Sequence, residues 1–160
     1  MRLASDGRDV LGAALYARRS LLLYGPSGGG KTTLARKLGR LLPGPIAVPY
    51  ALMAGRQVIR LYDPAVHVAP PPTARQQEER RSCDARWTVC QRPLVHVGAE
   101  LGRDMLDLRF DAEEGVYHAP PHLQANNGML VLDDVGRQRI AAAELLNRFI
   151  GPLDAGCDQL

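Results

Sequence analysis

The chain has 160 residues, of which 46% are hydrophobic and 23% are charged, and its formal net charge is +3 at pH 7. These values are typical of a globular domain and exclude a chain that is disordered throughout. A charge of +3 is too small to indicate a nucleic-acid-binding protein by itself, and no apolar run approaches the ~20 residues of a membrane-spanning helix.

The cysteines and the first residues of the chain bear on its compartment. Cys83, Cys90 and Cys157 form no disulfide pattern that spacing can define. Charged residues interrupt every apolar run near the start, so no signal peptide is predicted and we expect a cytoplasmic protein. A zinc site that combines the first two cysteines with His67 and His96 is disfavoured, because the C-x₆-C spacing lies outside the usual zinc-ligand spacings.

Hydrophobic periodicity predicts alternating helices and strands along the chain. In order, the predicted elements are a helix over 9–19, a strand over 20–24, a helix over 31–42, strands over 46–50, 57–62, 94–97, 115–118 and 129–132, and a helix over 141–150. Residues 105–110 are ambiguous, and the polar, proline-rich stretch 70–81 predicts a surface insertion near 70–90. The runs at 20–24 and 129–132 are apolar throughout, which is typical of strands covered on both faces. We therefore expect an α/β fold with a mainly parallel sheet.

A glycine-rich loop lies between the first predicted strand and the helix that follows it. Its residues match the pattern G-x-x-x-x-G-K-[ST] in full, and chance would produce such a match in roughly one chain of this composition in a thousand. They are Gly25, Pro26, Ser27, Gly28, Gly29, Gly30, Lys31 and Thr32. Glycines let the backbone curve around an anion with its N–H groups pointing inward, and a helix start adds free N–H donors and a positive dipole end. The sequence therefore predicts a P-loop, which binds the phosphates of a nucleoside triphosphate.

The polar residues of this loop have separate roles in the prediction. Lys31 brings a positive charge toward the β- and γ-phosphates, and the hydroxyl of Thr32 can bind Mg²⁺. Thr33 is a further candidate donor, toward the α-phosphate. We expect MgATP as the ligand, and the sequence does not distinguish ATP from GTP. The alternative is a glycine-rich turn without a ligand, which the complete match between a strand and a helix disfavours.

Two adjacent acids, Asp133 and Asp134, follow the apolar run at 129–132. A strand of a parallel sheet delivers the residues that follow it to the edge where P-loop ligands bind. Triphosphate hydrolysis needs a carboxylate near Mg²⁺ and a group that orients the attacking water. We assign the first role to Asp133 and the second to Asp134, which together form a Walker B pattern. The alternative is a strand followed by an acidic turn without a function.

With both motifs placed, the chain resembles the AAA+ ATPases. Residues 124–134 are similar to the A-x-G-G-x-L-x-L-D-E run of MoxR-like and helix-2-insert members. Residues 63–153 are more similar still to bacterial chaperone-like ATPases that are linked to Flp pilus assembly. The segments that carry this similarity are 63–67 (DPAVH), 90–93 (CQRP), 98–101 (GAEL), 105–109 (MLDLR) and 133–138 (DDVGRQ). The resemblance implies a three-layer P-loop fold, a homo-oligomeric ring, and ATP hydrolysis that drives remodelling of a protein partner.

The chain departs from the AAA+ pattern in two ways. Asp134 replaces the usual Walker B glutamate and is one methylene shorter. The chain also stops at Leu160, before the sensor strand, the arginine finger and the helical lid domain that the resemblance implies. We therefore expect a fragment, truncated after Walker B, that retains phosphate binding but does not turn over efficiently. Arg137 and Arg139 would face a neighbouring subunit in a ring.

Two other functions stay open, and the protein partner is not identified. A P-loop kinase or nucleotidase would pair its two Walker strands directly, whereas an AAA+ core places another strand between them. A nucleotide-binding module without hydrolysis would use ATP as an assembly ligand. Nucleic acid is not expected as a partner, because acidic residues dilute the arginines near 80–92 and no aromatic residues are interleaved with them.

Overall fold

The computed structural model describes residues 5–69 and 84–155. The chain divides into two compact units, Met1–Pro43 and Gly44–Leu160. The stretch 70–81, predicted as an insertion, lies outside the described residues. Within the described residues, no helix has the length and apolar character needed to cross a membrane.

The described part of the first unit forms two helices, α1 (Ser5–Tyr16) and α2 (Lys31–Gly39). Helix α1 ends at Tyr16, earlier than predicted, because Arg18 adopts a left-handed conformation with φ 52°. The amide of Arg18 donates to the carbonyl of Leu15, and that of Arg19 donates to the carbonyl of Ala14. This pair of hydrogen bonds is a Schellman motif, which satisfies the last carbonyls of a helix and stops it.

The predicted strand at 20–24 is not formed. This stretch is irregular, and its side chains Leu22 and Tyr24 are 82% and 90% exposed. A strand requires a neighbour for its backbone N–H and C=O groups, and the described part of Met1–Pro43 contains no other strand. The prediction was wrong because an apolar run indicates that a segment can be buried, not that a pairing partner exists.

The described residues of the second unit form eight short strands and two helices. The strands are β1 (Ile46–Pro49), β2 (Ala51–Ala54), β3 (Gln57–Arg60), β4 (Trp87–Cys90), β5 (Leu94–Val97), β6 (Arg109–Asp111), β7 (Val116–His118) and β8 (Met129–Leu132). The helices are α3 (Pro121–Gln124) and α4 (Ala142–Ala155), and a 3₁₀ turn spans Arg103–Leu106. Strands were therefore predicted correctly near 46–50, 57–62, 94–97, 115–118 and 129–132. Strand β4 falls in the region predicted as an insertion, and β2 and α3 were not predicted.

The strands form three small sheets rather than one. Their orders are β1-β4, β2-β3-β7-β6 and β5-β8. The β5–β8 and β3–β7 pairs are parallel, and the other three pairs are antiparallel. A mixed α/β structure is confirmed. These strands do not form the mainly parallel sheet that the sequence predicted. Two antiparallel pairs are hairpins with tight turns at Gly55 (φ 61°) and Gly115 (φ 68°), and a tight turn permits only antiparallel pairing.

Two hydrophobic clusters stabilise this unit. One lies around β1 and β3 and includes Val48, Ile59 and Cys90. The other joins the β5–β8 pair to α4 through the buried side chains of Val97 and Leu145. This second cluster fixes the ends of β5 and β8, where Asp133 follows.

Adjacent leucines on α4 test this packing. Leu145 is fully buried, whereas Leu146 is 57% exposed. We expect Leu145→Ala to lower the free energy of unfolding by about 2–5 kcal/mol, because it removes buried methyl groups and leaves a cavity. Leu146→Ala is the matched control and should change it by about 0.5 kcal/mol or less. Urea denaturation monitored by circular dichroism measures both, and equal losses would contradict the assigned orientation of α4.

Candidate functional site

The glycine-rich loop before α2 has a backbone that requires glycine. Gly25, Gly28 and Gly30 have φ angles of 145°, 75° and 77°. Gly29, between the last two, is not left-handed. An alternation of right- and left-handed residues turns successive N–H groups toward one side of the chain and forms a concavity that binds anions. Gly25 and Gly30 are the two loop glycines that the motif specifies, and the amide of Gly29 donates within the loop to the carbonyl of Pro26 at 3.4 Å.

The space beside the loop is open at two of these glycines. A Cβ atom added to Gly25 or Gly28 would meet no atom within 4 Å among the described residues beyond its immediate chain neighbours. At Gly29, the same atom would lie 3.2 Å from the carbonyl oxygen of Pro26. The loop thus has room beside it that a side chain would fill, and its glycines keep the backbone accessible. This observation fits a site for a polyphosphate.

Helix α2 begins directly after the loop and presents its positive end there. Gly30 is the N-cap residue and provides no side-chain hydrogen bond to the first amides of the helix. The first turn contains no acidic residue. The amides of this turn and the helix dipole are therefore not neutralised by a carboxylate of the same turn, which favours binding of an anion.

The Lys31 ammonium group folds back across the loop. Its Nζ donates to the carbonyl oxygens of Gly25 at 3.0 Å and Pro26 at 2.8 Å. Both acceptors are neutral and belong to the loop itself. An ionised phosphate oxygen is a stronger acceptor than a neutral carbonyl, so the ammonium group is positioned where it can exchange these partners for an anion.

The other predicted residues of the loop lie beside Lys31. Thr32 and Thr33 are in the first turn of α2, the former half-buried and engaged in a contact, the latter exposed. Ser27 is at the exposed tip of the loop. The structure thus brings all the predicted phosphate-binding residues into one loop and one helical turn of the unit Met1–Pro43.

Asp133 extends the parallel β5–β8 pair by one residue. Its amide donates to the carbonyl of Val97 at 2.8 Å, which continues the ladder past the end of β8. Its Oδ2 lies 3.1 Å from Nε2 of His96, and its Oδ1 accepts the amide of Asp134 at 3.0 Å. Each carboxylate oxygen has two lone pairs, so an oxygen that accepts one hydrogen bond can also coordinate a cation.

Asp134 is exposed and begins a turn. Its backbone is left-handed, with φ 53°, and its carbonyl accepts the amide of Arg137 at 2.8 Å. Aspartate is one of the few residues other than glycine that tolerate this conformation. The conformation turns the chain directly after the strand and leaves the Asp134 carboxylate at the surface.

Sequence reasoning missed the side chains that hold this acidic turn. Gln138 donates from Nε2 to the carbonyl of Asp133 at 2.7 Å and accepts the amide of Gly136 at 2.8 Å. Just after β5, the pKa of the Glu100 carboxyl is lowered, mainly because the amide of Gly98 donates to it and further by its own amide and by His96. No local pattern indicated the contact of His96 with Asp133, because it depends on the parallel register of β5 and β8, which pairs His96 with Val131, two residues before Asp133.

The zinc site that the sequence disfavoured is not formed by its described members. His67 is buried, with Nδ1 accepting the amide of Asp63 and Nε2 3.0 Å from the carbonyl oxygen of Gln124. Cys90 is buried in the cluster around β1 and β3, whereas His96 contacts Asp133. These contacts give His67 and Cys90 structural roles, and Cys83 lies outside the described residues.

The predicted P-loop and the two aspartates belong to different units of the chain. Thr32 lies in Met1–Pro43 and Asp133 in Gly44–Leu160. Their joint binding of one magnesium ion therefore stays a prediction. A scan against protein-family models finds no family that matches the chain, and a search of curated proteins finds no match.

Proposed function

We propose that this chain binds MgATP through the loop 25–30 and the first turn of α2, as part of a three-layer P-loop ATPase core of the AAA+ type. The observation that carries the proposal is the loop itself. Positive φ angles at its glycines, open space beside them and the Lys31 ammonium across the loop occur together at the start of a helix. Each of these features favours a polyanion, and the match to G-x-x-x-x-G-K-[ST] specifies a nucleoside triphosphate.

Each residue has one role in the proposal. Backbone amides of the loop hold the phosphates, and Lys31 neutralises part of their charge. The sequence assigns Thr32 and Asp133 to Mg²⁺, an ion that would reduce the negative charge at the β- and γ-phosphates. The contact of Asp133 with His96 supports this role, because carboxylates that bind metals are held in orientation by a second layer of hydrogen bonds.

Hydrolysis is the second part of the proposal and depends on Asp134. Its carboxylate would polarise the attacking water, and its exposed position in the turn after β8 is compatible with that task. By resemblance to AAA+ proteins, hydrolysis would drive remodelling of a protein partner within a homo-oligomeric ring of the cytoplasm.

A nucleotide-binding module without hydrolysis is the second candidate. The observation that favours it is the substitution of aspartate for the usual glutamate at 134 in a left-handed turn, which shortens the reach of the carboxylate. A P-loop kinase or nucleotidase, the third candidate, would pair its two Walker strands directly, whereas the described residues pair β8 with β5 and form no strand at 20–24.

The two lysines of the chain provide a matched test of nucleotide binding. Lys31 contacts the loop, whereas Lys37 is exposed on the same helix. We expect Lys31→Ala to weaken MgATP affinity by roughly ten- to a hundred-fold, because a charge-assisted contact contributes about 1.5–3 kcal/mol. Lys37→Ala should leave the affinity within about two-fold, since an exposed distant charge contributes little. Isothermal titration calorimetry measures both, and an unchanged affinity in Lys31→Ala would refute the site.

A second pair of variants separates hydrolysis from binding alone. Asp134→Asn should retain MgATP affinity and abolish phosphate release, because an amide cannot accept a proton from water. Asp134→Glu should raise phosphate release above that of the unmodified chain, since it restores the missing methylene. Binding without phosphate release in all three proteins would assign the chain to the non-hydrolysing class.

A further inference from the structure

The β6–β7 hairpin brings a histidine and two carboxylates to one face of its sheet. Asp111 ends β6, Glu114 lies in the turn and His118 ends β7. Asp111 pairs with Val116, so His118 is its diagonal neighbour two residues further along β7. Residues two apart on a strand share a face, so the register itself places the imidazole beside the carboxylate.

The distances from the His118 imidazole to the two carboxylates are longer than those of ordinary hydrogen bonds. Nε2 of His118 lies 3.4 Å from Oδ2 of Asp111 and 3.6 Å from Oε2 of Glu114. This nitrogen is shielded from solvent and makes no hydrogen bond in the structure. N–H···O bonds are about 2.7–3.2 Å long, and a buried ring nitrogen without a partner is costly. Nε2 of His118 therefore lacks a hydrogen-bonded partner although two carboxylate oxygens lie close to it, and a bound cation would provide one.

A small divalent cation has the right dimensions. Ligand atoms about 2.0–2.1 Å from a tetrahedral Zn²⁺ ion are separated from one another by roughly 3.3–3.4 Å. The two distances from His118 are close to this edge length, and all three ligand atoms lie within 4.8 Å of one another. An imidazole with two carboxylates suits zinc and related transition metals, whereas Mg²⁺ and Ca²⁺ prefer oxygen alone.

We propose that Asp111, Glu114 and His118 form a binding site for Zn²⁺ or a similar transition-metal ion. Three protein ligands leave the fourth tetrahedral position to water or to another ligand. The site lies entirely within the unit Gly44–Leu160 and shares no residue with the proposed nucleotide site. It does not depend on the proposed function.

The turn that follows Asp111 orients its carboxylate for this role. Its Oδ1 accepts the amides of Glu113 at 3.0 Å and Glu114 at 3.2 Å, which leaves Oδ2 directed toward His118. These two amides fix the orientation of the carboxylate, as metal-binding carboxylates are fixed by hydrogen bonds.

Arg60 modulates the proposed site. It lies opposite His118 in the β3–β7 register, and its guanidinium contacts Oε2 of Glu114 at 2.5 Å. This contact uses the same oxygen that faces His118 and adds a positive charge beside the ion. Removing the guanidinium should therefore strengthen metal binding, which a cluster held together only by ion pairs would not show.

The test is a zinc titration of the full chain under reducing conditions, in competition with a chromophoric chelator. We expect one equivalent to bind to the unmodified protein, and Arg60→Met to bind it more tightly. Glu114→Gln and His118→Ala should each weaken zinc binding by more than about 100-fold. Loss of a residue that only hydrogen-bonds to a metal ligand weakens it by roughly 10- to 100-fold. Glu113→Gln, one residue away in the same turn, is the matched control and should bind as the unmodified chain does.

Two further readouts distinguish this site from the cysteines and from the proposed nucleotide site. Co²⁺ bound at the hairpin should give the visible absorption of a tetrahedral ion without the charge-transfer band of a thiolate ligand. Lys31→Ala should retain zinc affinity, so failure at one proposed site is separable from failure at the other. Glu114→Gln alters an exposed turn residue and decides the question even if His118→Ala does not fold. Equal zinc affinity in Glu114→Gln and the unmodified chain, or no binding by either, would overturn the proposal.

Discussion

Positive φ angles at Gly25, Gly28 and Gly30 are the constraint on which the proposed function depends. A side chain at any of these positions would oppose the backbone conformation on which an anion-binding loop depends. The Lys31 ammonium contributes only because the same curvature brings the carbonyls of Gly25 and Pro26 within its reach. The position of the charge therefore depends on the backbone geometry. The loop backbone offers amide donors, and Lys31 supplies the formal charge that amides lack.

The sequence was informative where a structural requirement is local. The motif at 25–32 specifies its own conformation, since few residue types tolerate it, and the helix that follows was predicted with its first residue correct. The run at 129–132 was also predicted correctly, and it pairs with 94–97. The equally apolar run at 20–24 is not a strand. Both runs have the composition of a buried strand, and the difference between them is a neighbour, which no local pattern encodes.

The side-chain contacts around Asp133 also depend on strand pairing that the sequence does not show. His96 precedes it by 37 residues, and only the register of β5 against β8 brings the imidazole to the carboxylate. In contrast, Asp111, Glu114 and His118 lie within eight residues, and a hairpin turn suffices to gather them. The sequence shows the spacing of these three residues but not that they share a face. The secondary structure of 105–110 was ambiguous, so the end of β6 at Asp111 could not be predicted. Sheet register, rather than composition, determines both clusters.

The two histidine–carboxylate contacts also differ in what they can bind. At His96, Nε2 lies within hydrogen-bonding distance of Asp133, so the imidazole is used as a partner of the carboxylate and not as a ligand. An aspartate held in this way presents oxygen alone, which suits Mg²⁺. At His118, Nε2 lies beyond that distance from both carboxylates and makes no hydrogen bond, so the nitrogen itself is available as a ligand. The two proposed sites therefore differ in the ligand atoms that they would offer: oxygen at Asp133, and an imidazole nitrogen with two carboxylates at the hairpin.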